Sequence, residues 1–223
     1  MTDNYGANIF LRNSYAQDGE DIVLDSFFID KGYKGFYIDL GALHPFRYSN
    51  TQIFYERGWR GINIDATPGS MQAFHATRQR DINLEIALSD KKETIKFYMF
   101  ADSALNNFNA QRSELLVSKG IIQTGIVDIT TSTINDVLHD YLPKNQPIDF
   151  INIDVEGLEL KILSSLDFET YCPHFFLIEE LGYTSSDFLT YKKSDVYKLL
   201  SAKNYIVVAK TCRTIIFSKA LPS

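Results

Sequence analysis

The sequence predicts an α/β domain built on a doubly wound, mostly parallel sheet that closes with a C-terminal antiparallel hairpin. Short apolar runs typical of buried strands alternate with segments of helical periodicity, which is the pattern of a parallel sheet covered on both faces. Several of these runs stop at an acidic residue, namely at Asp39, Asp65, Asp154 and the pair Glu179 and Glu180. Because the carboxyl ends of parallel strands share one edge, we expect a ligand site along that edge.

Length and composition indicate one domain over residues 1–223. The chain has 223 residues, 45% of them hydrophobic, and a formal charge of −6 from 28 acidic and 22 basic residues. This balance argues against a nucleic-acid or anionic-membrane surface. The apolar runs are far shorter than the roughly 20 residues of a membrane span, and residues 1–6 lack the features of a signal peptide. Cys172 and Cys212 have no metal-binding spacing, so we expect a cytoplasmic protein; the oligomeric state is left open.

The first half begins with a helical lead-in, residues 1–34, in which Asp18–Asp30 carries apolar residues at helical spacing. Strands are predicted at 35–41, 61–65 and 82–88, and helices around 53–55 and over 68–79. Thr94–Ala101 alternates apolar and polar residues, as an antiparallel strand does.

One segment in the second half cannot be assigned to a helix or a strand from its sequence. Residues 102–123 are polar and without a clear period, so we predict an irregular substrate loop; a plain surface loop is the alternative. After it we predict strands at 148–154 and 175–180, helices through 158–163 and over 187–203, and a final hairpin with strands 205–209 and 214–218.

The turn Asp39-Leu40-Gly41-Ala42 is the first candidate for ligand binding. A glycine just after a strand lets backbone approach a cofactor closely, although an ordinary strand-to-helix turn explains it equally well. The sequence lacks both G-x-G-x-x-G and G-x-x-x-x-G-K-[ST], which weakens the dinucleotide and P-loop interpretations. Asp65 stands 26 residues after Asp39, where an acid commonly accepts hydrogen bonds from ribose hydroxyls. Its alternative role is to cap the helix that begins near Pro68.

Five segments together resemble the FkbM-type S-adenosylmethionine-dependent methyltransferases. They are Phe36-Tyr-Ile-Asp-Leu-Gly-Ala42, Gly61-Ile-Asn-Ile-Asp65, Ala87-Leu-Ser-Asp90, Ile151-Asn-Ile-Asp-Val-Glu-Gly157 and Ile178-Glu-Glu180. The resemblance runs from about Tyr15 to Glu180 and implies a Rossmann-like class I methyltransferase fold with S-adenosylmethionine as cofactor. By resemblance, Asp39, Gly41 and Ala42 flank the methionine part of the cofactor, Asp65 the ribose, and Ala87 and Leu88 the adenine. The predicted hairpin agrees, because class I methyltransferases end their sheet with a reversed strand.

The loop after Gly41 departs from the family pattern. Many FkbM-type proteins have an asparagine and a second glycine where this chain has Leu43-His-Pro45, and this looks like a subgroup associated with surface-polysaccharide synthesis. The departure puts His44 near the methyl donor. Because O-methyl transfer must remove a hydroxyl proton, we predict His44 as a general base; a loop histidine that only hydrogen-bonds backbone is the alternative.

Asp154 and Glu156 are further candidate catalytic residues, because both follow a predicted strand at the ligand edge. They can orient the substrate hydroxyl or bind the cofactor's ammonium group, while Glu156 can instead cap the next helix. Asp154, Glu179 and Glu180 also offer oxygen ligands for a divalent metal, which is possible but not favoured.

The sequence therefore predicts an S-adenosylmethionine-dependent O-methyltransferase. Its acceptor would be a sugar hydroxyl on a small molecule or a glycan, in surface polysaccharide or glycoconjugate biosynthesis. A nicotinamide-dependent sugar oxidoreductase or epimerase is the second hypothesis, weakened because Tyr183 and Tyr191 lack a lysine four residues on. A non-catalytic sugar-binding module is the third, and it leaves the acids at the strand ends unexplained.

Overall fold

The computed structural model describes residues 11–180 and 189–220. The strands are β1 (Phe36–Leu40), β2 (Arg60–Asp65), β3 (Ile82–Glu85), β4 (Ala87–Ser89), β5 (Thr94–Phe100), β6 (Gln123–Thr133), β7 (Phe150–Ile153), β8 (Phe175–Glu179), β9 (Tyr205–Lys210) and β10 (Thr214–Lys219). The α-helices are α1 (Glu20–Phe27), α2 (Gln52–Glu56), α3 (Met71–Thr77), α4 (Ala110–Ser118), α5 (Ile134–Tyr141), α6 (Glu159–Ser165) and α7 (Asp195–Ala202). Two 3₁₀ helices span Ser103–Leu105 and Thr190–Lys193.

A seven-stranded sheet in the order β3-β2-β1-β7-β8-β10-β9 forms the centre of the molecule. The first five strands in this order pair in parallel, and β10 pairs antiparallel with both β8 and β9. This confirms the doubly wound, mostly parallel sheet and the C-terminal antiparallel hairpin. The hairpin places its second strand inside the sheet, between β8 and β9.

Two predictions about the chain between residues 82 and 133 are wrong. The predicted strand 82–88 is two strands in different sheets, β3 and β4, because the chain turns at Ile86, whose N–H donates to the Asp65 carbonyl at 3.0 Å. The predicted irregular segment 102–123 contains a 3₁₀ helix and α4. The helix begins where the Asn109 side chain accepts a hydrogen bond from the Arg112 N–H at 2.9 Å, which is an N-cap.

A second, three-stranded sheet in the order β4-β6-β5 lies beside the first. β6 pairs antiparallel with β5 and parallel with β4. The alternation seen in Thr94–Ala101 is therefore confirmed as an antiparallel strand, whereas β6 was not predicted from the sequence.

The core lies on both faces of the central sheet. Every residue of β1 and β7 is buried, as expected for central strands of a doubly wound sheet. One face packs aromatic side chains around Trp59, Phe54 and Phe150, while the other is mainly aliphatic. Both central strands are thus fixed on either side, which holds their carboxyl ends in place.

Three remaining findings concern the ends of elements and the surface. Residues 1–10 of the predicted lead-in lie outside the described residues, and so do residues 187–188 of the helix predicted over 187–203. The rest of the helix predicted over 187–203 is the second 3₁₀ helix followed by α7. In the part of the chain that the structure describes, no helix is both long enough and apolar enough to cross a membrane.

Candidate active site

Gly41 and the residues after β7 meet at the carboxyl edge of the sheet. Leu40 pairs with both Ile64 of β2 and Ile153 of β7, so Gly41 and Asp154 emerge side by side. Gly41 has φ +80°, and a Cβ there would lie 1.7 Å from the backbone oxygen of Asp154. Only glycine fits this left-handed, crowded position, which explains why a glycine directly follows β1.

Asp65 is held by backbone donors on both oxygens. Its Oδ1 accepts from the Thr67 N–H at 2.7 Å and its Oδ2 from the Leu43 N–H at 3.1 Å. Burial raises the pKa of Asp65, against the opposing effect of these hydrogen bonds. A carboxylate has about four acceptor positions, and the side chains of Thr67 and Ser70 also hydrogen-bond to Asp65, so a ligand in the adjoining cavity would share or replace these side-chain donors.

A cavity opens beside Asp65 and Gly41; it encloses about 590 Å³, its open mouth included. Both polar and apolar residues line it. The lining residues that matter here are Gly41, Leu43, Asp65, Thr67, Ile86, Leu88, Phe97, Asn106, Phe108, Asp154 and Glu156. We call this space the first cavity. A ligand with both polar and apolar parts would match it.

The segment predicted as a substrate loop forms one wall of this cavity. Asn106 fixes it, because its Oδ1 accepts from the Phe100 N–H at 2.7 Å and its Nδ2 donates to Thr67 Oγ1 at 3.1 Å. Arg47 donates to both carboxylate oxygens of Asp102 at 2.9 Å, joining the wall to the loop after β1.

Three of the residues predicted for the cofactor do not line the first cavity. Asp39 is 2% exposed, and its oxygens accept from Asn152 Nδ2 and Thr51 Oγ1, both at 2.8 Å. Ala42 packs in the core against Met71 and Phe74, and Ala87 is buried in β4. Leu88, in contrast, lines the cavity. Alternation along β4 puts the side chains of Ala87 and Leu88 on opposite sides.

A second cavity, which encloses about 780 Å³ with its open mouth included, adjoins the first at Leu43, Asp154 and Glu156. It is lined mostly by charged or planar polar side chains, with one aromatic residue. The remaining lining residues are Gln17, Arg47, Tyr48, Asp102, Ala104, Leu105, Arg112, Glu179 and Arg213. Arg213 belongs to the C-terminal hairpin and pairs with Asp18 at 2.9 Å. The sequence did not identify Arg47, Tyr48 and Arg213 as site residues, because they come from segments far apart along the chain and meet only in the folded structure.

Asp154, Glu156 and Glu179 form a carboxyl cluster at the junction of the two cavities. One oxygen from each lies within 4.8 Å of the others. Burial, and then the charge of Glu179, raises the pKa of Asp154 well above its ordinary range. Burial also raises the pKa of Glu156 to about 7, although its ion pair with Arg112 opposes this shift. Groups whose pKa lies near 7 are suited to exchange protons at neutral pH.

The structure groups the candidate metal ligands differently from the sequence. Glu156 joins Asp154 and Glu179 in the cluster, whereas Glu180 lines another cavity beside Ser194. Three carboxylate oxygens suit a hard divalent cation. Here, however, the Arg112 guanidinium already supplies a positive charge to Glu156.

His44 lies in the loop after Gly41 and is not among the residues that line the two cavities. Its Nδ1 accepts hydrogen bonds from the N–H groups of Phe46 and Arg47, at 3.1 and 3.2 Å. With Nδ1 as acceptor, the neutral ring carries its proton on Nε2. Burial, and then the Arg47 charge, lowers the pKa of His44. The predicted role of His44 as a base stays a prediction, with the carboxyl cluster as its competitor.

The fold and the site define a doubly wound α/β protein with a ligand cavity at the carboxyl edge of β1, β2 and β7. The chain belongs to the FkbM methyltransferase family, because the family described as "Methyltransferase FkbM domain" matches residues 39–207. This confirms the resemblance to that family seen in the sequence.

Two solved structures are similar to this chain. One is the methyltransferase FkbM from Methylobacillus flagellatus KT, at 14% identity and a TM-score of 0.46, covering 96% of this chain and 46% of that one. Another is the N-terminal domain of human METTL16, at 10% identity and a TM-score of 0.44, covering 91% of this chain and 67% of that one. This chain thus spans about half the length of the FkbM structure. Comparison with curated proteins finds no match.

Proposed function

We propose that the protein is an S-adenosylmethionine-dependent O-methyltransferase acting on a sugar hydroxyl, in surface polysaccharide or glycoconjugate biosynthesis. The observation that carries the proposal is the junction of two cavities at Asp154 and Glu156. The first suits the cofactor and the second suits a polar acceptor. Two ligands that meet at one point are what a direct group transfer requires.

The residues of the first cavity fit the cofactor. Asp65 can accept hydrogen bonds from two ribose hydroxyls, and Leu88 and Phe97 offer apolar surface to the adenine. Asp154 Oδ1 is buried without a hydrogen-bond partner at the cavity wall, which favours a hydrogen-bond donor from a ligand at this position. When bound, S-adenosylmethionine supplies an electrophilic methyl group on a sulfonium.

The second cavity fits a saccharide. Planar charged side chains such as those of Arg47, Arg213 and Glu179 make paired hydrogen bonds to neighbouring hydroxyls. Tyr48 is 45% exposed, with the Arg47 guanidinium 4.7 Å from its ring centroid. Its ring offers an apolar surface for the C–H face of a sugar.

We propose that the carboxyl cluster, through Asp154 and Glu156, takes the proton of the acceptor hydroxyl. Both residues line both cavities, and a raised pKa makes a carboxylate a stronger base. His44 is less well placed to act as the base, because its Nδ1 lone pair already accepts hydrogen bonds from two backbone N–H groups. The chain's contribution would be to orient the hydroxyl and to hold its proton.

We also place the protein in the cytoplasm, because Cys172 and Cys212 are both exposed and unpaired, as is usual in a reducing compartment.

Isothermal titration calorimetry tests this function without knowledge of the acceptor. We expect S-adenosylmethionine and S-adenosylhomocysteine to bind at a 1:1 ratio, and NAD to give no heat of binding. Binding of NAD alone would support the oxidoreductase hypothesis. Failure of all three ligands to bind would support the non-catalytic module, and either result would overturn the proposal.

A further inference from the structure

Arg78 is a charged residue fully buried behind the site. It follows α3 and has no exposed surface. Its Nη1 donates to the Tyr37 hydroxyl at 3.0 Å and to Thr51 Oγ1 at 3.1 Å. Its Nη2 donates to the Pro45 carbonyl at 2.8 Å and to Ser49 Oγ at 3.0 Å. Three of these four acceptors belong to a single loop, residues 43–51, which we call the clamped loop.

The clamped loop serves both cavities. Its Leu43 N–H holds Asp65 Oδ2 at 3.1 Å, and the Leu43 side chain lines both spaces. Arg47 and Tyr48 line the second cavity. The position of this loop therefore sets the direction of the Asp65 carboxylate and one wall of the acceptor space.

The backbone of the clamped loop cannot hold this shape by itself. Leu43 and Tyr48 have φ angles of 50° and 54°, in the left-handed region that side chains other than glycine avoid. Such conformations persist where the surrounding structure imposes them. The Arg78 fork reaches Pro45, which lies between these two strained residues, and Ser49, which directly follows the second of them.

The buried charge of Arg78 is balanced by nearby acids. Its Nη1 lies 3.7 Å from Asp81, and Thr51 Oγ1, which accepts from Arg78, donates to Asp39 Oδ2 at 2.8 Å. A planar fork can reach four acceptors at fixed angles, whereas a lysine ammonium is a compact point charge. The geometry therefore requires arginine, and a positive charge alone is insufficient.

We infer that Arg78 is a positioning residue that holds the clamped loop so that Leu43 keeps the Asp65 carboxylate aimed at the cofactor ribose. This inference rests on the proposed function, because it concerns affinity for the cofactor. It assigns a role at the cofactor site to a residue that lines none of its cavities.

A double-mutant cycle on S-adenosylhomocysteine affinity tests the inference, using Arg78→Lys, Asp65→Ala and the double variant. Arg78→Lys is expected to weaken binding about tenfold, as loss of a well-placed charged hydrogen bond does. In the Asp65→Ala background the same change is expected to have less than a twofold effect, because its target is gone. A merely structural role would give the same fold-change in both backgrounds, and that result would overturn the inference.

Two further measurements complete the test. Arg80→Lys is the matched control, because Arg80 is an exposed neighbour, and its affinity should equal that of the unaltered protein. Trypsin should cut after Arg47 faster in folded Arg78→Lys than in Arg80→Lys, since the loop is released. If Arg78→Lys does not fold, Ser49→Ala replaces it in the cycle with the same criterion. If the unaltered protein does not bind S-adenosylhomocysteine, the proposed function fails; if it binds and the cycle is additive, only the inference fails.

Discussion

Replacement of Asp65 by alanine is the sharpest perturbation of the cofactor site. Each oxygen of this carboxylate already accepts one backbone N–H, and the side chains of Thr67 and Ser70 also hydrogen-bond to it, so the two ribose hydroxyls would share or replace these side-chain donors. Hydrogen bonds to a charged group contribute about 1.5–3 kcal/mol each, and water entering the vacated space recovers part of this. We therefore expect a loss of about 1–3 kcal/mol, or about 5- to 150-fold in the Kd for S-adenosylhomocysteine.

Calorimetry with S-adenosylhomocysteine measures this effect, and Glu85→Ala is its control. Glu85 is paired with Asp65 across β2 and β3, but it is exposed and does not line the cavity. Its replacement should change the Kd by less than about twofold, the size expected for a surface substitution. A folded Asp65→Ala protein that binds as tightly as Glu85→Ala would refute the assignment of Asp65 to the ribose.

Three further predictions concern the turn, the carboxyl cluster and the proton. Gly41→Ala should lower the Tm by more than Gly120→Ala and abolish S-adenosylhomocysteine binding. Both glycines have positive φ, but a Cβ at Gly41 would meet backbone, whereas a Cβ at Gly120 meets nothing within 4 Å. Equal losses of Tm would contradict the crowding argument. Burial raises the pKa of Glu156 from 4.5 to about 7, so its contribution to stability is complete below pH 4.5 and is lost as the pH rises through about 7. Urea denaturation of Glu156→Gln should show a smaller fall in unfolding free energy between pH 5 and pH 7.5 than the unaltered protein, and a larger fall would contradict this sign. With an acceptor in hand, Asp154→Asn should lower the turnover rate by about 10²–10⁴-fold while His44→Ala changes it little, and EDTA should leave turnover intact. The opposite ranking would make His44 the base, and activity that EDTA removes and Mg²⁺ restores would make the cluster a metal site.

Much of the fold follows from local patterns in the sequence. The strands that became β1, β2, β7 and β8 are short, mostly apolar runs, and this signal is strong because both faces of each strand are largely buried. The split between β3 and β4 could not be predicted in this way. It depends on the hydrogen bond from Ile86 to Asp65, a contact that exists only after β2 and β3 have paired.

The site was predictable in part, mainly from residues at strand ends. Of the residues predicted for the site, Gly41, Asp65, Leu88, Asp154 and Glu156 line the first cavity. Asp39 occupies an equally suggestive position, but Thr51 and Asn152 use its oxygens, and Asn152 is 113 residues away in sequence. The second cavity could not be predicted from the sequence for the same reason, because its walls come from segments far apart along the chain.

The proposed function depends on one claim, that the first cavity holds S-adenosylmethionine with its methyl group directed toward the second cavity. A crystal structure with S-adenosylhomocysteine bound measures this directly. We expect the ribose hydroxyls within hydrogen-bond distance of Asp65, the adenine between Leu88 and Phe97, and the sulfur facing Asp154 and Glu156. A ligand seated in the reverse direction, or in a different cavity with Asp65 unoccupied, would contradict the account.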